Sequence, residues 1–116
     1  MARSNEALWW SLFSAGGVAS ALFLPAMILL TGIAMPLGWL GEDAFAYERM
    51  RRLASHPAGA LFLFVLISLS LFHAAHRLHA ALSEPWLKPI RPLLNLALYG
   101  GSAAGTLAAA AILWRL

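Results

Sequence analysis

No Asp, Glu, Lys or Arg occurs between Ala7 and Gly41, between Pro57 and Phe72, or between Pro92 and Trp114. The first and last of these runs exceed the roughly 20 residues that an α-helix needs to cross the hydrocarbon core of a bilayer. The middle run reaches a similar length once Ala74 to Leu78 are added. In lipid every backbone N–H and C=O must be paired within its own segment, so charge-free runs of this length read as helices. The pattern predicts an all-α integral membrane protein, a single domain over residues 1–116 with transmembrane helices at about 13–36, 57–79 and 92–114. A soluble helical bundle would need polar faces that these segments lack. Composition agrees, with 61% hydrophobic and 11% charged residues, against roughly 25% charged in soluble domains. The first run is too long for the roughly 7–15-residue apolar core of a cleavable signal peptide. With no cysteine, the chain cannot form a disulfide or hold an iron–sulfur cluster by thiolates. A pI of 10.2 reflects few charges with a small basic excess, which suits a membrane protein better than a nucleic-acid binder.

Taken in order, the chain opens with Ser4 or Asn5 as candidate helix caps and Glu6 in the first turn. Trp9 and Trp10 follow, where an interfacial aromatic pair would sit. Gly16, Gly17 and Ala21 offer small surfaces for another helix. Pro25 should kink the first span, and Pro36-Leu37-Gly38 ends it. The first loop, Trp39 to His56, carries Glu42, Asp43, Glu48, Arg49, Arg51 and Arg52. These read as a solvated short helix at the membrane surface, without catalytic spacing. Ser55-His56-Pro57 reads as a helix start, with Ser55 as the cap and proline in the first turn. The second loop, Ser83 to Arg91, is basic and stiffened by Pro85 and Pro89. In the third span Gly101 and Gly105, extended by Ala97 and Ala108, predict a tight helix–helix contact.

The second span ends in three of the four histidines and an arginine: His73, His76, Arg77 and His79. At about 100° per residue, His73, His76 and Arg77 share one helical face. An ionisable group at membrane depth is a functional-site candidate, whereas one at the very end of a span can simply snorkel to water. Three spans put the N-terminus and the second loop on one side, so Trp10, His76 and Arg77 meet at one surface. Arg3, Arg77, Lys88 and Arg91 on that side balance Arg49, Arg51, Arg52 and Arg115 on the other, so charge bias does not orient the chain. Indole and guanidinium N–H groups can donate to the oxygens of a quinone head group, and an imidazole can relay its protons. The same three residues also suit interfacial anchors, and composition leaves both readings open. Haem clamped by two histidines needs ligands on facing positions, usually on separate helices. Three histidines lie here on one helix and His56 at the opposite surface, so this chain could supply one ligand at most. A zinc site from His73, His76 and His79 lacks a carboxylate or cysteine to complete it, and no metal is expected.

These residues sit in motifs that resemble the D subunit of quinol:fumarate reductase, one of two small membrane anchors of that complex. The motifs run in order: Trp10 to Gly17 (WSLFSAGG), Pro25 to Leu30 (PAMILL), Gly32-Ile33, Pro36-Leu37-Gly38, Tyr47-Glu48-Arg49, then His76 to Leu82 (HRLHAAL). The third span matches in length and character only. The resemblance implies three transmembrane helices packed with a partner anchor subunit. It further implies a heterotetramer with a flavoprotein carrying FAD, an iron–sulfur subunit and the second anchor, in the bacterial inner membrane with the N-terminus cytoplasmic. Menaquinol would be oxidised at the subunit interface, without haem and with no catalytic residues on this chain alone. The family's quinone-site tryptophan, histidine and arginine fall on Trp10, His76 and Arg77. His73 and His79 are left as candidate outer contacts of that site, with His73 expected to make a polar contact between helices. A haem-containing succinate dehydrogenase anchor and a non-catalytic membrane scaffold are the alternatives.

Overall fold

A computed structural model describes the backbone of residues 2–116 and the side chains from Asn5 onward. Helix α1 spans Ala2–Leu29 and continues into a π-helical turn, Leu30–Ala34. A short α2 (Tyr47–Ser55) follows the first loop, then α3 (Pro57–Ala81), a 3₁₀ turn (Pro85–Ile90) and α4 (Arg91–Arg115). Three stretches are long and apolar enough to cross a membrane: Asn5–Ala34, Pro57–Ala81 and Pro85–Arg115. The protein is thus all-α with three membrane-spanning helices, as its charge-free runs predict.

Local chemistry sets the helix ends. Pro25 lies inside α1, where it has no N–H to offer the preceding turn. The helix then loosens to π geometry and stops at Gly38, whose φ of 72° lies in the left-handed region. The Gly38 N–H donates to Met35 O at 3.1 Å and the Trp39 N–H to Ala34 O at 3.0 Å. This reciprocal pair caps the orphan carbonyls and relies on glycine's freedom to take positive φ. In α2, Glu48 occupies the first turn and Arg52 the last, each favourable to the helix dipole. Glu48 also lies 3.9 Å from Arg51.

Two caps differ from the sequence expectation. Helix α1 already begins at Ala2, so Ser4 and Asn5 lie inside it. Helix α3 is capped by His56, not Ser55: the imidazole Nδ1 accepts the Ala58 N–H at 3.1 Å. Pro57 at the first helical position makes the residue before it the cap. Ser55 belongs to α2, with its hydroxyl turned back to Arg52 O.

Helix α3 runs between α1 and α4, antiparallel to both, and among the described residues the backbones of α1 and α4 do not approach each other. The result is a flat layer of 51 × 31 × 23 Å. Such a layer has almost no interior. Among the described residues only Gly16, Ala34, Leu66, Ala75, Leu87, Ser102 and Ala109 are buried. Leu, Ile, Val, Phe and Trp side chains along both broad faces are exposed. Such a surface suits a lipid solvent or another apolar helix, neither of which water would replace.

The two seams of the layer are built differently. Gly16 faces the backbone of α3: a Cβ there would stand 2.7 Å from Leu69 O. The Ser20 and Ser70 hydroxyls meet at 2.8 Å one turn further along, and Phe23 meets Phe62 edge-on at 5.0 Å. Across the other seam Ser102 donates to Leu71 O at 3.1 Å, and Gly105 faces the Leu71 side chain. Of the predicted small-residue stripe, only Gly105 packs within the chain. Gly101 has nothing within 4 Å of its Cβ position, and Ala97 and Ala108 are exposed. The inward face of α4 is carried instead by Leu98, Ser102, Gly105 and Ala109, a stripe rotated by about one residue.

Candidate functional site

At the end of α3 the histidines meet both neighbouring helices. Glycine makes this possible. A Cβ at Gly17 would lie 2.8 Å from Cε1 of His73, so the His73 ring occupies the space that a larger residue would take. His73 Nδ1 lies 3.0 Å from Phe13 O, and its ring stacks on Phe13 at 4.4 Å between centroids. His73 makes the polar contact between helices that was expected of it.

One turn on, His76 sits against Trp10, with ring centroids 5.9 Å apart at 82°. It also meets Phe13 at 4.7 Å and 66°. From the opposite side Tyr99 of α4 approaches, its phenol oxygen 3.2 Å from His76 Nδ1. His79 lies 5.9 Å from the Tyr99 ring and 6.5 Å from that of His76. His76 is therefore held by an indole on one flank and a phenol on the other, from three helices in all.

This cluster lies at one end of a groove of about 1050 Å³ on a broad face of the layer. Helix α3 supplies the groove floor from Phe64 to His76, about 18 Å of helix. Trp9, Trp10, Leu12 and Phe13 of α1 form one wall, and Tyr99 and Thr106 of α4 contribute to the other. Asn5 and Glu6 line the end nearest the histidines. The lining is mostly apolar and aromatic, with Ser68 and Thr106 along its length and Asn5, Glu6 and His76 gathered at one end. A flat amphipathic molecule with an apolar tail matches that polarity and volume.

Sequence reasoning brought Trp10 and His76 together, and they touch. Arg77 is different: it is exposed and does not line the groove, because one residue of α3 turns it away from His76. Tyr99 and Glu6 line the groove although the sequence reading gave neither a place there. The signal for Tyr99 was depth: it is the one phenol inside an apolar run, about as far from the second loop as His76. Among the described residues, no group of three His, Cys, Asp or Glu side chains is arranged to hold a metal ion.

The profile of the family described as the D subunit of fumarate reductase matches residues 1–114 of the chain. The chain belongs to this family. A fumarate reductase D subunit from Photobacterium profundum is 44% identical over 82 residues, 71% of this chain and 68% of the relative. One from Shewanella sp. (strain W3-18-1) is 42% identical over the same shares. A third, from Vibrio campbellii (strain ATCC BAA-1116), is 40% identical over 71% of this chain and 66% of its own length. The matched segment thus spans about two thirds of these relatives. The chain is a multi-pass membrane-anchor subunit of a fumarate reductase complex.

Proposed function

We propose that this protein binds menaquinol in the groove and takes part in its oxidation, while docking the flavoprotein and iron–sulfur subunits to the membrane beside a second anchor. The supporting observation is the edge-on contact of Trp10 with His76 at the polar end of an aromatic-lined groove. In this reading the head group lies against Trp10 and His76, and the isoprenoid tail follows Leu69, Phe72 and Phe64. The Trp10 indole N–H donates to a quinone oxygen, and His76 accepts a proton from a quinol hydroxyl. Arg77, exposed at the same helix end, reaches over the rim to the head group or completes the site against a partner subunit. His79 stands behind His76, beside Tyr99. The electrons leave through FAD and iron–sulfur clusters held by the partners, since no side chain of this cysteine-free chain carries them. The N-terminus and second loop face the cytoplasm, with the protein in the bacterial inner membrane.

Arg77→Leu and His76→Gln should each cut quinol-coupled fumarate reduction by about tenfold or more, the worth of a charged or well-placed hydrogen bond. Fumarate reduction driven by a reduced viologen dye, which bypasses the quinol, should stay intact in the same membranes. Loss of both activities together would mean failed assembly, and retention of both would remove the quinol site from these residues. A haem Soret band in the purified complex would favour the succinate dehydrogenase alternative.

A further inference from the structure

We propose that Tyr99 is a positioning residue for His76, fixing which imidazole nitrogen receives the proton during quinol oxidation. This rests on the quinone-site reading above. His76 Nδ1 faces the Tyr99 phenol at 3.2 Å, while Trp10 and Phe13 confine the ring from the other side at 5.9 and 4.7 Å between centroids. With Nδ1 committed to Tyr99, a ligand in the groove meets the other nitrogen, Nε2. A base at Nε2 requires the tautomer with its hydrogen on Nδ1, and that hydrogen needs an acceptor. The phenol oxygen is one. The hydrogen bond to the second nitrogen selects the tautomer and steadies the ring.

The step balances without any further reactant. Oxidation of one quinol releases two electrons and two protons. Nε2 of His76 accepts one proton, bulk water on that side takes the other, and the electrons pass to the redox centres of the partner subunits. The imidazolium so formed holds its Nδ1–H against the Tyr99 oxygen, where a charged donor makes a stronger bond than a neutral one. Glu6 of α1 lines the same groove, and His73, Arg77 and His79 lie on the helix that carries His76. Tyr99 is distinct from all of these in reaching Nδ1 itself. It also comes from the third span, so α4 contributes to the site as well as to packing.

The test compares Tyr99→Phe, His76→Gln and the double variant in the intact complex, with a water-soluble naphthoquinol as donor and a reduced viologen dye as control. Tyr99→Phe should lower kcat by about tenfold, the scale of one lost hydrogen bond. KM should stay within about twofold, because the phenol acts through His76 and not on the bound ligand. The double variant should be no slower than His76→Gln, since Tyr99 has nothing left to position. Multiplying losses in the double, or a wild-type kcat for Tyr99→Phe beside an impaired His76→Gln, would overturn the role of Tyr99 and leave the site reading standing. A wild-type rate for His76→Gln would overturn the site reading and the inference with it. Should Tyr99→Phe lose the viologen activity as well, 3-fluorotyrosine at position 99 keeps the ring shape and changes only the phenol's acidity. A changed naphthoquinol rate at constant viologen rate then supports the inference, and an unchanged one overturns it.

Discussion

The seam between α1 and α3 and the seam between α3 and α4 join the same central helix, but they tolerate change differently. In the first, glycine Cβ positions meet rigid neighbours: the Leu69 carbonyl at Gly16, and the His73 ring at Gly17. In the second, Gly105 meets only the far end of Leu71, with Cδ1 at 2.8 Å from its Cβ position. Close approach in lipid depends on dispersion and on hydrogen bonds between helices, because lipid tails are as apolar as leucine. The rigid seam is therefore the one that fixes geometry, and it carries Trp10, Phe13, His73 and His76. Where the chain places its chemistry, it also places the packing that gives least.

The sharpest way to break this contrast is Gly16→Ala. Its methyl would enter the Leu69 backbone, so α1 and α3 must separate, at a cost of about 1–3 kcal/mol. Thermal unfolding of the purified chain, followed by circular dichroism in mild detergent, should show the drop. The Trp10–His76 contact should loosen in parallel, lowering quinol-coupled turnover. Gly17→Ala comes next. Its methyl strikes the His73 ring and not backbone, so it should be destabilising alone but largely rescued by His73→Ala in the double variant. The same His73→Ala change should not rescue Gly16→Ala, because the Leu69 oxygen remains and alanine keeps the Cβ that lies 3.1 Å from that position. Equal rescue of both would show that the two glycines serve one packing constraint.

Smaller effects belong to the other seam. Ser102→Ala removes the donor to Leu71 O, a bond worth about 0.6 kcal/mol by the average measured between membrane helices. Its hydroxyl also bonds Leu98 O within α4, which should keep the loss near that figure. Gly105→Ala should cost about 1 kcal/mol or less, because Leu71 can change rotamer. A loss as large as that of Gly16→Ala would show that this seam is equally unyielding.

The spans were legible because charge is excluded from them so cleanly that length alone fixes their number. The helix caps were less so: Ser55 is the better capping residue in general, but Pro57 hands the role to whichever residue precedes it. Trp10 and His76 could be brought together because connectivity places both ends at one surface. Arg77 and Tyr99 could not be sorted that way. Whether a residue faces a neighbour depends on rotation about the helix axis and on register between helices, and a uniformly apolar segment encodes neither. The same ambiguity displaced the small-residue stripe of α4, where the buried Ser102 sits one position from the exposed Gly101.

Gly101→Ala is the smallest expected effect and the cleanest test of that rotation. Within the chain no atom lies within 4 Å of the added methyl, and alanine is the better helix former by about 0.8–1 kcal/mol in water. Thermal unfolding of the isolated chain should therefore be unchanged or slightly improved, in opposition to its neighbour Ser102→Ala. If α4 were turned so that Gly101 faced α3, as its spacing with Gly105 suggested, the methyl would enter the seam and stability would fall. One residue's difference along α4 thus separates the two orientations. The orientation with Ser102 inward is also the one that brings Tyr99 to His76, since both stand on the same side of α4.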